Sequence, residues 1–342
     1  MSSALRVSVL AYPGCFASQV YGVLDLLTMA GHVAAAQGRP GPSYRVTVVS
    51  PRRRVTASGG AGIEVAALRP ADVLIVPGFE TAPGPGPGAG AGAGPDFDGV
   101  LARLGPETAA VRAQAQAGGA LVSVCVGAFL LAEAGLLHAR EATTSWLYAD
   151  QFARRYPQVR LRPQELVVSD GGVTTTAAFS AMYDFALRLI REHDGPRIAR
   201  STARITLLDD ARSTQSAYVD TELLPAVGRG FSPGVKRWLE QNLQTRYDLP
   251  ALAREFGVST RTLLRRFGQE TGLSPLAYLH TARVRRAKHL LETTERTIAS
   301  VAAEVGYRDP GGFSEIFARH TGHRPSAYRA AFRRPAQDPE HP

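Results

Sequence analysis

Arg261 and Arg265 are the residues whose type and spacing suggest the most specific chemistry. Side chains four positions apart lie on one face of a helix, and a guanidinium can bind a phosphate, or O6 and N7 of guanine, with two parallel hydrogen bonds. Thr260, Thr262 and Arg266 flank the pair and could bind phosphate or a thymine methyl group. A phosphate contact positions a protein without specifying a sequence, and for any one arginine it is as good an interpretation as base recognition.

Cys125 is the candidate nucleophile of the chain. It follows the strand-like run 120–124, and a helical pattern extends from about 128 to 137. This arrangement predicts a strand–nucleophile–helix elbow. The free N–H groups and the dipole at the start of that helix would favour a thiolate. The alternative, which the spacing alone favours, is a buried and unreactive cysteine at the end of an ordinary strand.

A duplicated pattern must position the two arginines. Each copy has apolar residues at i, i+3, i+4 and i+7, the stripe of an amphipathic helix, and then a glycine that can end the helix in a left-handed turn. The copies, 49 positions apart, are Leu249, Leu252, Ala253, Phe256 and Gly257, and Ile298, Val301, Ala302, Val305 and Gly306. A period of this length indicates one supersecondary unit used twice.

The second half of each copy predicts another helix. Ser259 and Asp309 are suitable N-terminal caps, and the inner faces are formed by Leu263 and Phe267, or by Phe313 and Phe317. Two helices joined by a tight glycine turn form a helix-turn-helix, whose second helix lies in the major groove of DNA. The alternative is a plain α-hairpin in a bundle, which the duplication and the charged outer faces make less favourable.

The two second helices differ in the residues that would face DNA. The positions that correspond to Arg261 and Arg265 are Gly311 and Glu315, with Ser314 as a further candidate contact. Glycine reads no base, and glutamate can accept a hydrogen bond from cytosine but repels phosphate. We therefore expect the first unit to supply most of the sequence specificity and the second mainly to anchor the protein.

The first two hundred residues alternate between strand-like and helical patterns. The strands are expected at 5–11, 44–50, 72–77 and 120–124, and the helices at about 18–37, 106–117 and 178–193. This order predicts an α/β domain with a parallel, flavodoxin-like sheet, followed by an all-α domain with two helix-turn-helix units. Residues 82–95, which are all Gly, Pro or Ala, predict a flexible loop.

Charge is distributed unevenly between the two parts. Residues 229–342 hold 19 Lys or Arg and 11 Asp or Glu, whereas residues 1–228 hold 20 and 19. A basic excess confined to the duplicated part is typical of a nucleic-acid binder. The sequence shows neither a run long enough to span a membrane nor a signal peptide, and its two cysteines make no disulfide framework. These features predict a cytoplasmic protein with no membrane partner.

The C-terminal part resembles the AraC/XylS-type DNA-binding domain. The resemblance extends from about 233 to 334 and rests on Ser259, Leu263, Arg265 and Phe267, on Arg283, Ala287, Leu290 and Leu291, and on Gly306, Tyr307, Phe313, Phe317, Gly322, Pro325 and Tyr328. It implies two helix-turn-helix units joined by a rigid helix, here about 275–291. These units would enter successive major grooves of double-stranded DNA, roughly 34 Å apart.

The N-terminal part, from about 5 to 194, resembles the PfpI/ThiJ branch of the class I glutamine-amidotransferase-like fold. The match rests on Cys125-x-Gly127-Ala-Phe, Val76-Pro77-Gly78, Ala142-Thr-Thr-x-Trp146 and Thr174-Thr-Thr-Ala177, after a hairpin turn at Asp170-Gly171. Joined to the basic domain, the chain resembles GlxA-type transcriptional regulators.

That resemblance implies an acidic partner for the elbow cysteine early in the chain and a histidine about twenty residues after it. The corresponding residues here are Asp25 and Ser145, and serine cannot be the base that activates a thiol. We therefore expect no catalytic residue, no cofactor and no metal. Cys125, Ser145, Trp146, Gly78 and Asp25 are expected to line a binding site for a small-molecule effector.

These expectations define a domain plan and a function. Residues 1–208 are expected to be a sensor and dimerisation domain, 209–232 a linker, 233–334 the DNA-binding domain and 335–342 a disordered tail. The chain is expected to be a homodimeric, metabolite-controlled, sequence-specific DNA-binding regulator. Three alternatives stay open: a thiol-dependent hydrolase or amidase with a DNA-binding tail, a redox sensor using Cys125 with or without Cys15, and a regulator whose α/β domain only dimerises.

Overall fold

The computed structural model describes residues 4–39, 41–81, 96–209, 212, 214–219 and 231–333. They form two compact units, one that extends to Gln215 and one that begins at Ser216. The predicted loop at 82–95 and the predicted tail at 335–342 lie outside the described residues, as does most of the predicted linker.

The first unit alternates strands and helices. Its strands are β1 (Leu5–Leu10), β2 (Tyr44–Ser50), β3 (Val55–Thr56), β4 (Gly62–Ile63), β5 (Ala66–Ala67), β6 (Val73–Val76), β7 (Ala120–Val124), β8 (Glu141–Ala142), β9 (Arg160–Leu161), β10 (Val167–Asp170) and β11 (Val173–Thr176). Its helices are α1 (Ala17–Ala36), α2 (Phe97–Ala102), α3 (Gly105–Gln116), α4 (Gly127–Glu133), α5 (Ala149–Arg155), α6 (Ala181–Asp194) and α7 (Pro196–Thr206).

Seven strands of the described residues form one mixed sheet in the order β10-β11-β7-β6-β1-β2-β5. All neighbouring pairs are parallel except the hairpin β10–β11. The four residues of β6 are all buried, as expected of a strand covered on both faces. In a parallel sheet the carboxyl ends of the strands share one edge, and this edge is where such folds bind ligands.

The predicted α/β class is therefore confirmed, together with the strands at 44–50 and 120–124 and the hairpin after Asp170. One prediction was too long. The helix that follows Cys125 ends at Glu133 instead of continuing to 137, because residues 134–139 fold into successive turns. The glycine at 135, with a φ of 77°, lies in the first of them.

The second unit is helical throughout its described residues. Its helices are α8 (Phe231–Gln241), α9 (Leu249–Glu255), α10 (Thr260–Thr271), α11 (Pro275–Thr293), α12 (Ile298–Glu304), α13 (Pro310–Thr321) and α14 (Pro325–Phe332). The pairs α9–α10 and α12–α13 are the two predicted helix-turn-helix units. Each has its own apolar core, and α11 contributes Leu279 to the first core and Val284 to the second.

The local signals that predicted these units are confirmed. Gly257 and Gly306 have left-handed φ angles of 61° and 90°. The Ser259 hydroxyl accepts a hydrogen bond from the backbone N–H of Thr262. Ala253 and Ala302, at the close approach of the paired helices, are buried.

Parts of the predicted linker 209–232 are packed against the two units. Arg212 donates from Nε to Asp184 Oδ1 at 3.1 Å. Ala217 lies in the core of the second helix-turn-helix unit. The helix α8 begins at Phe231, two residues before the predicted start of the DNA-binding domain. The composition of the segment is polar, and polarity alone does not distinguish a free linker from one held by hydrogen bonds.

Candidate nucleic-acid interface and elbow site

The helix α10 presents Arg261 and Arg265 to solvent. Its inner face is fixed by Leu263 and Phe267, both fully buried, so the arginines on the opposite face are exposed. Arg265 donates from Nη1 to Oε1 of Gln269, one turn on, at 3.3 Å. This contact orders the guanidinium and leaves its other N–H groups for a ligand.

The three residues that flank the arginines are less available. Thr262 accepts a hydrogen bond from the Ser259 hydroxyl at 3.0 Å, and Thr260 is half-buried. The Arg266 guanidinium lies 4.1 Å from the ring centroid of Phe231 and pairs with Glu270 at 3.9 Å. Arg266 therefore contacts α8 and its own helix, which makes it the weakest of the predicted DNA contacts.

The helix α13 begins with a negative charge. The Asp309 carboxylate accepts hydrogen bonds from the backbone N–H groups of Gly312 at 2.7 Å and Gly311 at 3.0 Å. These bonds, chiefly the one from Gly312, hold the pKa of Asp309 below its ordinary value. Free N–H groups at a helix N-terminus would otherwise attract phosphate. In α13 a carboxylate occupies them, whereas the cap of α10 is neutral.

The other predicted contacts of α13 offer little to a base. Gly311 and Glu315 are exposed. The Ser314 hydroxyl donates back to the carbonyl of Pro310 at 2.8 Å, which leaves its oxygen as an acceptor only. The predicted difference between the two second helices is thus larger in the folded domain than in the sequence, because the cap adds a second negative group.

Cys125 lies at a sharp turn between β7 and α4. Its φ is 55°, a left-handed value that a residue with a side chain rarely adopts. A Cβ at Gly127 would lie 2.6 Å from the carbonyl oxygens of both Val76 and Pro77. The tight turn therefore requires glycine two residues after the cysteine, since any side chain there would collide with the end of β6. The predicted elbow geometry is present.

The structure does not favour a thiolate at Cys125, which was one of the two interpretations of the sequence. Cys125 is 8% exposed, and burial raises the pKa of its thiol to about 11, although the N–H of Val126 and the hydroxyl of Ser145 act in the opposite direction. The helix α4 has seven residues, so its dipole is short and cannot offset the desolvation of a charged sulfur. Cys125 is thus a protonated thiol in an elbow, which combines features of both interpretations.

The structure corrects the position of the early acidic residue. Asp25 is exposed on α1, and the α1 side chain that reaches the elbow is Gln19. Gln19 is fully buried and accepts a 2.6 Å hydrogen bond from the N–H of Gly78. Gly78 is itself adjacent to Cys125, whose Cβ would be 3.3 Å from a Cβ at residue 78. An amide therefore occupies the position where the resemblance implied a carboxylate.

Gly78, Cys125 and Ser145 are brought together, and Trp146 follows Ser145 in a 3₁₀ turn. All but the half-buried Trp146 are buried. The backbone N–H of Trp146 donates to Oε1 of Gln215 at 3.1 Å. Among the described residues, no group of three or more His, Cys, Asp or Glu side chains could hold a metal ion.

Sequence reasoning missed Gln19 and Gln215. Gln215 is 1% exposed, and its amide nitrogen donates to the carbonyls of Thr144 and Pro163, both at 2.9 Å. Nothing in a polar segment distinguishes this glutamine from its neighbours. Gln19 had a weak signal, since it lies in the first turn of α1, the end that follows β1.

Comparisons with known proteins agree with this architecture. Residues 103–192 match the DJ-1/PfpI family, and residues 252–331 match a helix-turn-helix domain. The chain is 29% identical to the HTH-type transcriptional regulator CdhR of Pseudomonas aeruginosa, over 61% of this chain and 62% of that protein. It is 30% identical to the HTH-type transcriptional regulator GlxA of Rhizobium meliloti, over 59% and 63%.

The chain thus spans about three fifths of the length of the curated relatives it matches. Among solved structures, an AraC family transcriptional regulator from Pseudomonas putida is 20% identical, with 59% of this chain and 99% of that chain covered and a TM-score of 0.46. None of the described helices combines the length and the hydropathy needed to span a membrane. The chain thus contains one segment that matches the DJ-1/PfpI family, followed by one that matches a helix-turn-helix domain.

Proposed function

We propose that this protein is a sequence-specific DNA-binding transcriptional regulator controlled by a small metabolite bound in its α/β unit. The observation that carries the proposal is the exposure of Arg261 and Arg265 on one face of α10, in the first half of a capped second helix. The basic excess of residues 229–342 supports it, because neutralising phosphate supplies affinity for DNA. The names of the relatives CdhR and GlxA support it as well.

Selection from a random duplex pool tests the DNA-binding part of the proposal. The full-length protein at near-physiological salt should recover a defined motif, and Arg261→Ala and Arg265→Ala should lose it. Arg188→Ala is the matched control, because it removes the same charge from an exposed position of the first unit. Recovery of no motif, with binding that only weakens as salt rises, would reject sequence-specific recognition.

The effector site is proposed at the elbow, where Gly78, Cys125, Ser145 and Trp146 lie. The carboxyl ends of β6, β7 and β11 meet there, at the edge where such sheets bind ligands. Thr176, the last residue of β11, has a fully buried hydroxyl with no hydrogen-bond partner among the described residues. A buried hydroxyl without a partner costs free energy, which a polar ligand could recover.

Gln215 is the proposed connection between this site and the DNA-binding unit. Within the first unit, its side chain holds the backbone on both sides of Ser145, at Thr144 and Trp146. The next two residues along the chain belong to the second unit, where Ala217 is 3% exposed in the core that contains Phe313 and Phe317. A ligand that moves the Ser145 segment would therefore act on the chain that enters the core beneath α13.

The second unit holds this segment with hydrogen bonds of its own. Lys288 of α11 donates to the carbonyls of Val219 at 2.7 Å and of Ser216 at 3.5 Å. Displacing residues 216–219 would break these bonds and uncover the core. We propose that such a displacement changes how the second helix-turn-helix unit packs, which is the second state that allosteric control requires.

A thermal-shift screen with amino-acid derivatives and quaternary amines tests the effector. A stabilising compound should also change DNA affinity in the wild type. In Gln215→Met the compound should still bind, but the change in DNA affinity should be lost. Gln116→Met, at an exposed position of α3, is the control. If no metabolite stabilises the chain, the α/β unit acts only in assembly and this part of the proposal is rejected.

A homodimer formed through the α/β unit is also proposed, by analogy with bacterial regulators that bind paired sites. Sedimentation of the full chain should give twice the monomer mass of 36.5 kDa. A monomer at the concentrations that occupy DNA would contradict it.

A thiol-dependent enzyme is the second candidate, and the left-handed backbone at Cys125 is the observation in its favour. The raised pKa of the thiol opposes this candidate. Gln19 and Ser145 oppose it as well, because neither an amide nor a hydroxyl can act as the base that generates a thiolate near neutral pH. The protein should show no turnover of esters, amides or dicarbonyls. Turnover that disappears in Cys125→Ala would establish the enzyme.

A further inference from the structure

Arg283 is a buried cation at the junction between the two helix-turn-helix units. It is 6% exposed and lies on α11 between Leu279, which packs in the first core, and Val284, which packs in the second. No carboxylate pairs with it among the described residues. Burying an arginine without an acidic partner is unfavourable unless its N–H groups donate hydrogen bonds to other acceptors.

The Arg283 guanidinium binds the turn that follows α8. Its Nε donates to the carbonyl of Leu243 and its Nη2 to the carbonyl of Thr245, both at 2.9 Å. Leu243 packs against the core of the first helix-turn-helix unit. The planar fork of arginine can hold two carbonyls of one turn in a fixed orientation, which the single ammonium group of lysine cannot do.

The same guanidinium also contacts the turn of the second unit. Its carbon lies 5.1 Å from the ring centroid of Tyr307, and the hydroxyl of Tyr307 is 2.8 Å from Nδ1 of His280 on α11. Tyr307 immediately follows Gly306. Arg283 therefore lies between the α8–α9 turn, beside the first helix-turn-helix unit, and the α12–α13 turn of the second helix-turn-helix unit.

Gly306 allows the two turns to touch directly. A Cβ at this position would collide with the carbonyl oxygen of Leu243, and would lie 2.8 Å from Arg283 Nη2 and 3.0 Å from the Cα of Gln244. Gly257, the corresponding glycine of the first unit, also has a left-handed φ, yet a Cβ there would meet nothing within 4 Å. Both glycines have a left-handed φ, but of the two only Gly306 faces the other helix-turn-helix unit.

We propose that Arg283 and Gly306 determine the spacing along DNA between the sequence that α10 recognises and the stretch of backbone on which α13 anchors. They fix the first helix-turn-helix unit against the turn that leads into α13, and so set the distance and angle between the two DNA-facing helices. Two helices held rigidly fit only one separation, about 10 base pairs for one turn of DNA. Arg283 and Gly306 act as positioning residues and need not touch DNA. The inference depends on the proposed DNA-binding function.

Hydroxyl-radical footprints on the motif selected by the wild type test this inference. The wild type should protect the backbone beneath α13 at one spacing from the motif. Arg283→Met, which loses both hydrogen bonds to the α8–α9 turn, should recognise the same motif with that protection spread over several spacings. Arg283→Lys should give an intermediate result. Gly306→Ala, which pushes the turns apart, should shift the spacing, whereas Gly257→Ala should keep that of the wild type.

The outcomes separate a positioning role from a purely structural one. If Arg283→Met does not fold, the comparison of Gly306→Ala with Gly257→Ala decides, since both place an alanine at a left-handed φ, 90° and 61°, and only Gly306→Ala meets the other helix-turn-helix unit. If Gly306→Ala recovers the wild-type spacing with reduced affinity only, the inference is wrong while the proposed function stands. If the wild type recovers no motif, both are wrong.

Discussion

The side-chain oxygen Oε1 of Gln19 accepts a 2.6 Å hydrogen bond from the backbone N–H of Gly78. Gly78 is adjacent to Cys125, so an uncharged amide borders the elbow. The amide nitrogen of Gln19 is also occupied, since it donates to the carbonyl of Phe179 at 3.2 Å. This arrangement keeps the border of the elbow uncharged and supplies no base for the thiol, which suits a binding site better than a reactive cysteine.

Cys125 should react slowly with alkylating agents at neutral pH. Burial raises the pKa of this thiol to about 11, which leaves roughly a hundredfold less thiolate, the reactive form, than an ordinary cysteine has at neutral pH. The iodoacetamide rate of Cys15→Ala, followed by intact mass, should rise with pH up to about 11. A rate that levels off below pH 8 would contradict the assignment of a protonated thiol.

The same pKa predicts how stability depends on pH. The unfolded thiol ionises at lower pH than the folded thiol, so the contribution of Cys125 is fully present below the unfolded pKa and is lost as the pH rises toward 11. Cys125→Ala should therefore lose less stability than the wild type between about pH 9 and 11, measured by urea unfolding. Parallel losses in the two proteins would refute the raised pKa.

Gly127→Ala should destabilise the first unit by about 1–3 kcal/mol, because the added Cβ would press on the carbonyls of Val76 and Pro77. Gly31→Ala is the control. Gly31 lies inside α1 with nothing within 4 Å of an added Cβ, so alanine there should stabilise by roughly 0.5–1 kcal/mol through helix propensity. Urea denaturation of both variants measures the difference. Equal effects would mean that the turn at Cys125 is not constrained by β6.

Replacing Asp309 by serine should strengthen non-specific DNA binding. Serine still caps α13, but the negative charge that competes with phosphate is removed. The affinity for a random duplex, measured by fluorescence anisotropy at fixed low salt, should rise in Asp309→Ser. Ser259→Asp, the reverse change at the cap of α10, should lower it. Unchanged affinity in both variants would place the starts of these helices away from phosphate.

The sequence predicted the helical unit more completely than the α/β unit. Gly257, Ser259 and Phe267 act through local rules, namely a left-handed turn, a cap and an apolar face, so their roles could be derived from spacing alone. The elbow at Cys125 was also visible, because a strand, a cysteine and a glycine follow one another in the chain.

Contacts between distant segments could not be derived in this way. The resemblance implies an acidic residue and so points to Asp25, and only the folded structure shows that Gln19, in the first turn of α1, reaches Gly78. Gln215 and Arg283 bind backbone carbonyls, which every residue has, so the sequence does not show which residues accept these hydrogen bonds. The burial that raises the pKa of Cys125 likewise depends on the whole fold.

The central claim is that α10 specifies the DNA sequence and α13 mainly anchors the protein. The most direct test is the ratio of affinities for a selected motif and a scrambled duplex at one salt concentration, measured for the wild type, Arg265→Ala and Glu315→Ala. Loss of a bidentate guanine contact in Arg265→Ala should lower the ratio by a factor that corresponds to about 1–3 kcal/mol of discrimination. Glu315→Ala should keep the ratio and bind both duplexes more tightly. A larger loss of specificity in Glu315→Ala than in Arg265→Ala would contradict the account.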